Sequence, residues 1–250
     1  QVQRVFKRTV PIGIDHGTVG VLARDGTLYE VTTFRRDVAT DGRHATVEFA
    51  DRVEEDLARR DFTINAIAWH PLRDILLDPF DGVSDLERGV LRTVGTATDR
   101  FAEDWLRVLR ALRFAGRFEL TIDPETWSAV LAAHGRLGAL SPERVREELL
   151  KVLSLDRTPS VALGLYASSG VLGELMPELA STVGAPRAVT PTDEWTYALA
   201  VTDALSQRRP LLRLAALLQP TSARTAAQLL LRLRFANAQA DQVAALVAGG

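Results

Sequence analysis

From Glu103 to Phe114 the chain reads EDWLRVLRALRF, in which Asp104 precedes three arginines, Arg107, Arg110 and Arg113, each three positions after the last. Leu, Ala and Arg favour helix, and in a helix a three-residue step falls about 60° short of a full turn. Asp104, Arg107 and Arg110 then make a slanting polar stripe, while Trp105, Val108, Leu109 and Leu112 gather on the other side as a core-facing surface. Arg113 lies at the edge of that apolar face, in line for partial burial.

An Asp one turn before an Arg is, on most helices, a surface pair worth a few tenths of a kcal/mol. The same two residues also have a recognition chemistry. A carboxylate only accepts hydrogen bonds and a guanidinium only donates them. Cytosine and adenine each present an amino donor beside a ring-nitrogen acceptor, whereas uracil and guanine present a carbonyl beside a ring N–H. A fixed Asp and Arg therefore match C and A and mismatch U and G, because wrong pairings leave buried polar groups unsatisfied. Arg110 and Arg113, further round, are candidates either to hold a triphosphate or to fix the pair from behind.

Three long segments occur in a fixed order: RRDFTINAIA (59–68), DPFDGVSDLERGVLRTVG (78–95) and RFAEDWLRVLRALRF (100–114). In these the chain resembles the class II tRNA nucleotidyltransferases, the CCA-adding enzymes, and their close relatives the bacterial poly(A) polymerases. The resemblance is clear over 9–153 and fainter beyond. It implies that Asp104 and Arg107 occupy the template positions that pair with an incoming CTP or ATP, although Trp105 stands where many relatives have Pro or a small residue. It also implies that Arg60 contacts the nucleotide phosphates and that Asp61 and Asn65 lie near the ribose. A 2′-hydroxyl is both donor and acceptor, which a carboxylate and an amide read together. For Asn65, a capping or buried structural amide is the competing reading.

Around these segments the chain reads as α+β: a nucleotidyltransferase-type mixed β-sheet head, 1–96, then an all-helical neck, 97–155, and a helical, RNA-binding body, 156–250. Strands are expected over 5–37, with a hairpin turn at Arg24-Asp25-Gly26. In the second strand of that hairpin Glu30, Thr32 and Phe34 point one way and Tyr29, Val31 and Thr33 the other. Glu30 is the candidate catalytic carboxylate, a third acidic group offered to a metal site from a neighbouring strand. A polar loop, TDGRHATVEF (40–49), carries Arg43 and His44, with functional and plain surface roles both open. A helix is expected over 53–69, strand and turn over 78–95 with Asp78 and Asp85 as turn-makers, and helices from residue 100 onward. One of these opens at Ser141-Pro142-Glu143, an N-cap, N1 proline and acidic first turn. Later helices are expected to break at Gly170, 184–186 and Pro220.

Composition bounds the rest. The 250 residues, 46% hydrophobic and 25% charged, can bury a full core. A net charge of -2 argues against a protein that coats nucleic acid everywhere, so RNA must be met by a local patch. Arg208, Arg209, Arg213, Arg224, Arg232 and Arg234 are candidates for it, against the commoner reading of a solvated helix face. Zero cysteines exclude disulfides and thiolate metal sites, which fits a cytoplasmic protein. No apolar run approaches the roughly 18 residues of a membrane helix. His16, His44, His70 and His134 have no partner at ligand spacing. LLRLAALLQP (211–220) lacks the His-Asp pair that some relatives carry in a phosphohydrolase domain.

Nucleotidyl transfer requires in-line attack of a 3′-hydroxyl on the α-phosphate, with two Mg2+ ions held by close carboxylates. The family supplies an Asp-x-Asp pair for this, and the sequence contains none. The resemblance places that pair before Gln1, so the expectation is a fragment whose Mg2+ is bound mainly by residues upstream, and which alone transfers nothing. The implied partners are tRNA, CTP and ATP. Two alternatives stand beside tRNA nucleotidyl transfer: a poly(A) polymerase of the same superfamily, and a relative that binds nucleotide or RNA without turnover.

Overall fold

The computed structural model describes residues 1–13, 17–40, 45–188 and 192–249, with the side chains of 36–40 and 45–47 left out of the description. His16, Arg43 and His44 lie outside the described residues. The chain packs as two compact units, Gln1–Arg60 and Asp61–Gly250.

The first unit begins with a short helix α1 (Val2–Val5) and an antiparallel meander of β1 (Thr9–Gly13), β2 (Thr18–Leu22) and β3 (Leu28–Thr32). The turn into β3 forms as its sequence directs: Gly26 takes φ +88, and Asp25 Oδ1 accepts the Thr27 N–H at 2.9 Å. Within the sheet Gly20 lies opposite Glu30, and Val19 opposite Val31. A second antiparallel pair, β4 (Arg35–Thr40) and β5 (Ala45–Phe49), carries a register shift between Asp37 and Ala39. The helix α2 (Val53–Ala58) buries Leu57, and its Asp56 Oδ1 accepts the Arg35 N–H at 3.1 Å, tying it to β4.

The second unit opens with a 3-10 turn, Thr63–Asn65, and the hairpin β6 (Ala68–His70) and β7 (Ile75–Leu77). The helix expected over 53–69 therefore ends at Ala58. Two side-chain bonds at the break explain this: Asp61 Oδ1 accepts the Phe62 N–H at 3.0 Å and the Asn65 side-chain amide at 2.9 Å. Short polar side chains that bond nearby backbone compete with helix in this way. Helix α3 (Gly82–Glu87), where only strand and turn are expected, is opened by Asp78, which accepts the Gly82 and Val83 N–H groups at 2.7 and 2.9 Å. Asp85 is no turn-maker. It sits fully buried within α3, accepting from Thr63 Oγ1 at 2.7 Å and ion-paired with Arg88 and Arg92.

The strand β8 (Val90–Leu91) precedes α4 (Ala97–Glu103) and α5 (Leu106–Phe118), and it pairs in parallel with β9 (Thr121–Ile122). The all-helical remainder follows: α6 (Pro124–Ala132), α7 (Pro142–Leu155), α8 (Pro159–Ser168), α9 (Val171–Leu175), α10 (Pro177–Ala180), α11 (Glu194–Ala204), α12 (Pro210–Leu218), α13 (Ala223–Arg232) and α14 (Asn237–Ala248). Ser141 and Pro142 take the N-cap and N1 positions of α7, but the Ser141 side chain makes no capping bond. One hydrophobic cluster runs through this unit, from Phe62 and Leu91 through Leu109, Leu149 and Leu163 to Leu217, Leu230 and Val243. Gly116 lets α5 and α8 touch, since a Cβ there would lie 2.5 Å from the Ala162 backbone nitrogen. The architecture is the expected α+β arrangement, β-rich at the start and helical thereafter. No helix of the described residues is long and apolar enough to cross a membrane.

Candidate nucleotide-binding residues

The 100–114 segment is two helices rather than one. Asp104 is extended, φ -158 and ψ 103, and α5 starts only at Leu106. The Asp104 carboxylate makes the break: Oδ1 accepts the Leu106 N–H at 3.1 Å, while Arg144 of α7 donates Nη1 to Oδ1 at 3.0 Å and Nη2 to Oδ2 at 2.7 Å. Beyond the break the expected faces hold, with Val108, Leu109, Ala111 and Leu112 all fully buried.

The three arginines of α5 have three different fates. Arg107 donates to the Arg100 carbonyl at 2.9 Å and forms a short ion pair with Glu103, which also holds Arg100 at 2.9 Å. Asp104 and Arg107 are thus each fixed by residues other than the other. Arg110 reaches Asp61, donating Nε to Oδ2 at 2.7 Å and forming an ion pair with it through Nη2, also at 2.7 Å. Asn65 bonds the other oxygen of that carboxylate, so Asp61, Asn65 and Arg110 form one cluster, although no helix joins Asp61 to Asn65.

Arg113 does not join this group. It is 5% exposed and pairs at 2.7 Å with Glu148, itself buried and held from the far side by Lys151 at 2.7 Å. Burial pushes the Glu148 carboxyl up, but the hydrogen bonds from Lys151 and Arg113 outweigh it and leave the group below its ordinary value. Arg113 also lies over the Phe114 ring, 4.5 Å from its centroid. Of the two roles open to it from sequence, neither holding a triphosphate nor backing the Asp104 and Arg107 pair fits a guanidinium spent on the core.

In the first unit a polar cleft of about 600 Å3 is lined by Glu30, Thr32, Phe34, Arg35, Asp56, Arg59 and Arg60. Glu30 and Thr32 reach it from one face of β3 and Phe34 from the short link between β3 and β4, whereas Tyr29 and Val31 line a different cavity with Val5 and Phe6. Arg60 donates to Asp56 at 3.1 Å and is half exposed. Three guanidinium groups against two carboxylates suit an anion, and Asp56 is already engaged. A two-metal centre needs several converging carboxylates. Among the described residues no group of three His, Cys, Asp or Glu is close enough to hold a metal ion, so they do not fit a Mg2+ pair, and Glu30 shares this cleft with one other acid, Asp56, which is bonded to Arg35 and Arg60.

The basic patch of the body shrinks on inspection. Arg213 is fully buried and donates to the carbonyls of Leu153, Asp156, Arg157 and Leu205, closing the C-terminal ends of α7 and α11. Arg232 is spent on the Leu175 carbonyl and on Glu178. Arg208, Arg209, Arg224 and Arg234 stay exposed, the first two beside a groove of about 610 Å3 lined with Leu150, Leu211 and Leu246, and the last 4.0 Å from Glu143.

Sequence reasoning passed over Arg144, Glu103 and Glu148, the partners that fix Asp104, Arg107 and Arg113. Arg144 and Glu148 lie 40 and 35 residues from the groups they hold, beyond any local signal. Glu103 was within reach of sequence, since it stands four residues before Arg107.

Two family models match the chain, one described as "Poly A polymerase head domain" over residues 1–92 and one as "Probable RNA and SrmB- binding site of polymerase A" over residues 119–182. Among curated proteins, the CCA-adding enzyme of Lactobacillus johnsonii is 44% identical over 154 residues, which is 61% of this chain and 38% of that protein. The CCA-adding enzyme of Geobacillus kaustophilus is 41% identical over 185 residues, 73% of this chain and 45% of its own length. The chain thus spans about two-fifths of the length of the curated relatives it matches. Among solved structures, the Bacillus stearothermophilus CCA-adding enzyme in complex with CTP superposes with a TM-score of 0.79 at 32% identity, covering 99% of this chain and 57% of that one. The Thermotoga maritima CCA-adding enzyme complexed with tRNA shares the fold at TM-score 0.67 and 23% identity, covering 97% of this chain and 56% of that one.

Proposed function

We propose that this chain, which belongs to the tRNA nucleotidyltransferase and poly(A) polymerase family, serves in adding C and A nucleotides to the 3′ end of tRNA without a nucleic acid template. In that reaction the 3′-hydroxyl attacks the α-phosphate of CTP or ATP and pyrophosphate leaves. Asp104 accepts from the amino group of the base and Arg107 donates to its ring nitrogen. The observation that carries this reading is that each of the two is held by its own neighbours and neither is spent on the other. An acceptor and a donor are thereby fixed in advance, as base selection requires.

Asp61 and Asn65, with Arg110 behind them, are assigned to the ribose, and Arg60 with the cleft around it to phosphate oxygens. Divalent cations, Mg2+ in this reading, would supply the activation of the attacking hydroxyl and the neutralisation of the leaving group. The described residues do not themselves form that centre, and Glu30 is the one acid among them proposed to approach it. Functionally the chain divides into a head over 1–96, a neck over 97–155 that bears the base-reading residues, and a body over 156–250 in which Arg208, Arg209 and Arg224 are offered to the tRNA backbone. Its place is the cytoplasm, where tRNA is processed.

A poly(A) polymerase is the second reading, favoured by the descriptions of both matching family models. Incubating the full-length protein with CTP, ATP and Mg2+ tests both on two substrates, a tRNA lacking its 3′ CCA and an arbitrary RNA. Addition of up to three nucleotides to the tRNA alone is the expected result. Long A tracts on either RNA would assign the polymerase, and nucleotide binding without extension of any RNA would leave a binding module and overturn both.

A further inference from the structure

We propose that Arg144 is a positioning residue that sets the angle of the Asp104 carboxylate, and through it the discrimination between bases that offer an amino group and bases that offer a carbonyl. This rests on the base-reading role proposed for Asp104. Arg144 stands in the first turn of α7, and its two terminal nitrogens meet the two carboxylate oxygens at 3.0 and 2.7 Å. Two parallel bonds from a planar guanidinium hold the carboxylate in one plane, which a single contact from an ammonium group cannot do.

The lone pairs then decide what Asp104 can still accept. Each carboxylate oxygen has two acceptor directions. Oδ1 receives Arg144 and the Leu106 N–H, so both of its directions are used, whereas Oδ2 receives only Arg144. One acceptor direction is left, on Oδ2, at an orientation fixed by residues on two different helices. It suits one amino N–H and offers nothing to a carbonyl.

Stability is a poor explanation for this contact. The two side chains keep 33% and 26% of their surface exposed, and ion pairs open to solvent contribute little. A well-aligned fork between two partly exposed groups is better accounted for by orientation than by folding energy. The Arg107 side is built on the same plan, with Glu103 and the Arg100 carbonyl holding the donor.

The test is equilibrium binding of CTP and UTP to the full-length protein, with Arg144→Met and Arg144→Lys beside the wild type. A wild type that binds CTP and UTP equally would remove the base-reading role itself, and this proposal with it. Given a wild type that prefers CTP, Arg144→Met is expected to lower the CTP-to-UTP preference about tenfold, the worth of one well-placed hydrogen bond. Arg144→Lys is expected to restore only part of it, with both variants melting near the wild-type temperature. An unchanged preference in Arg144→Met would overturn the proposal. So would an equal loss of affinity for CTP and UTP with a lowered melting temperature, which would mark a structural role.

Discussion

Arg110 donates Nε to Oδ2 of Asp61 at 2.7 Å, with Nη2 in ion-pair contact with the same oxygen, and so fastens the middle of α5 to the first residue of the second unit, 49 positions earlier in the chain. Asp61 is buried, and its other oxygen is occupied by the Phe62 N–H and the Asn65 amide. Every acceptor direction but one is accounted for, so the ion pair fixes both the carboxylate and the turn that follows it. Removing Arg110 strands a buried charge, which costs more than the pair contributes. Arg110→Ala is expected to destabilise the protein by about 2 kcal/mol, less than a fully buried pair because the guanidinium is partly exposed. The midpoint of urea unfolding measures this. Asp61→Asn in the same background should recover part of the loss, because the uncompensated charge is then gone.

Asp104 and Arg107 give the sharpest functional expectation. An Asp104→Ala protein loses its acceptor and an Arg107→Ala protein its donor, yet neither change disturbs the buried face of α5 formed by Val108, Leu109 and Leu112. Each variant is expected to admit UMP or GMP, with the preference for CTP and ATP falling about 10- to 100-fold. Competition of the four nucleotides for one primer reads this directly. A variant that slows while keeping its selectivity would show that base choice lies elsewhere.

What was legible in the sequence follows from which interactions are local. The period-two pattern of β3 sent Glu30 and Thr32 to one cavity and Tyr29 and Val31 to another. The apolar spacing of α5 gave its buried face, and Gly170 and Pro220 fell at helix ends as their chemistry demands. The break at Asp104 was not legible, because it depends on Arg144, which the fold brings from 40 residues away. The burial of Arg113 was half legible: its edge position suggested partial burial, but Glu148 and Lys151, which make a buried guanidinium tolerable, stand on another helix. The helix expected through 53–69 failed for a nearer reason, since Asp61 and Asn65 bond each other and the Phe62 backbone more readily than they sit in a helix interior.

Arg113 and Glu148 form the one carboxylate–guanidinium pair of α5 in which both partners are buried. Arg113→Met keeps much of the side-chain volume and removes the charge, leaving Glu148 with Lys151 alone. Destabilisation of about 3 kcal/mol is expected, the usual cost of breaking a buried pair from one side. Because the partners hold the Glu148 carboxyl below its ordinary value, they contribute stability above the unfolded pKa, and that contribution is lost as pH falls through the folded value. The gap between wild type and Arg113→Met should therefore narrow on acidification. A gap that stays constant from neutral to acid pH would mean that packing rather than charge sets the loss.

Gly116 is the contact point of α5 and α8, where an added Cβ would come within 2.5 Å of Ala162 backbone and side-chain atoms. Backbone cannot yield as a flexible side chain does, so the helices must separate. Gly116→Ala is expected to cost about 1 to 3 kcal/mol despite the higher helix propensity of Ala. A melting curve decides the sign, and stabilisation by the substitution would show that the crossing is looser than the distance implies.

Asp156 reverses the usual relation between a carboxylate and acid. It follows the last residue of α7, is 3% exposed, and neither of its oxygens finds a hydrogen-bond partner among the described residues. Burial raises its pKa from 3.8 to about 6, against the pull of Arg117, Arg113 and Arg213. A folded pKa above the unfolded one means that folding takes up a proton. The native state is then favoured below the unfolded value and progressively penalised as pH climbs through about 4 to 6. Above that window the penalty is at most about 3 kcal/mol, given 1.36 kcal/mol for each pKa unit. Asp156→Asn removes the titration while keeping the shape, so it should stabilise the protein at pH 8 and leave it nearly unchanged at pH 4. Urea midpoints at the two pH values compare them. Equal effects at both would mean that an interior water or a local movement satisfies the carboxylate and that the side chain does not titrate with folding.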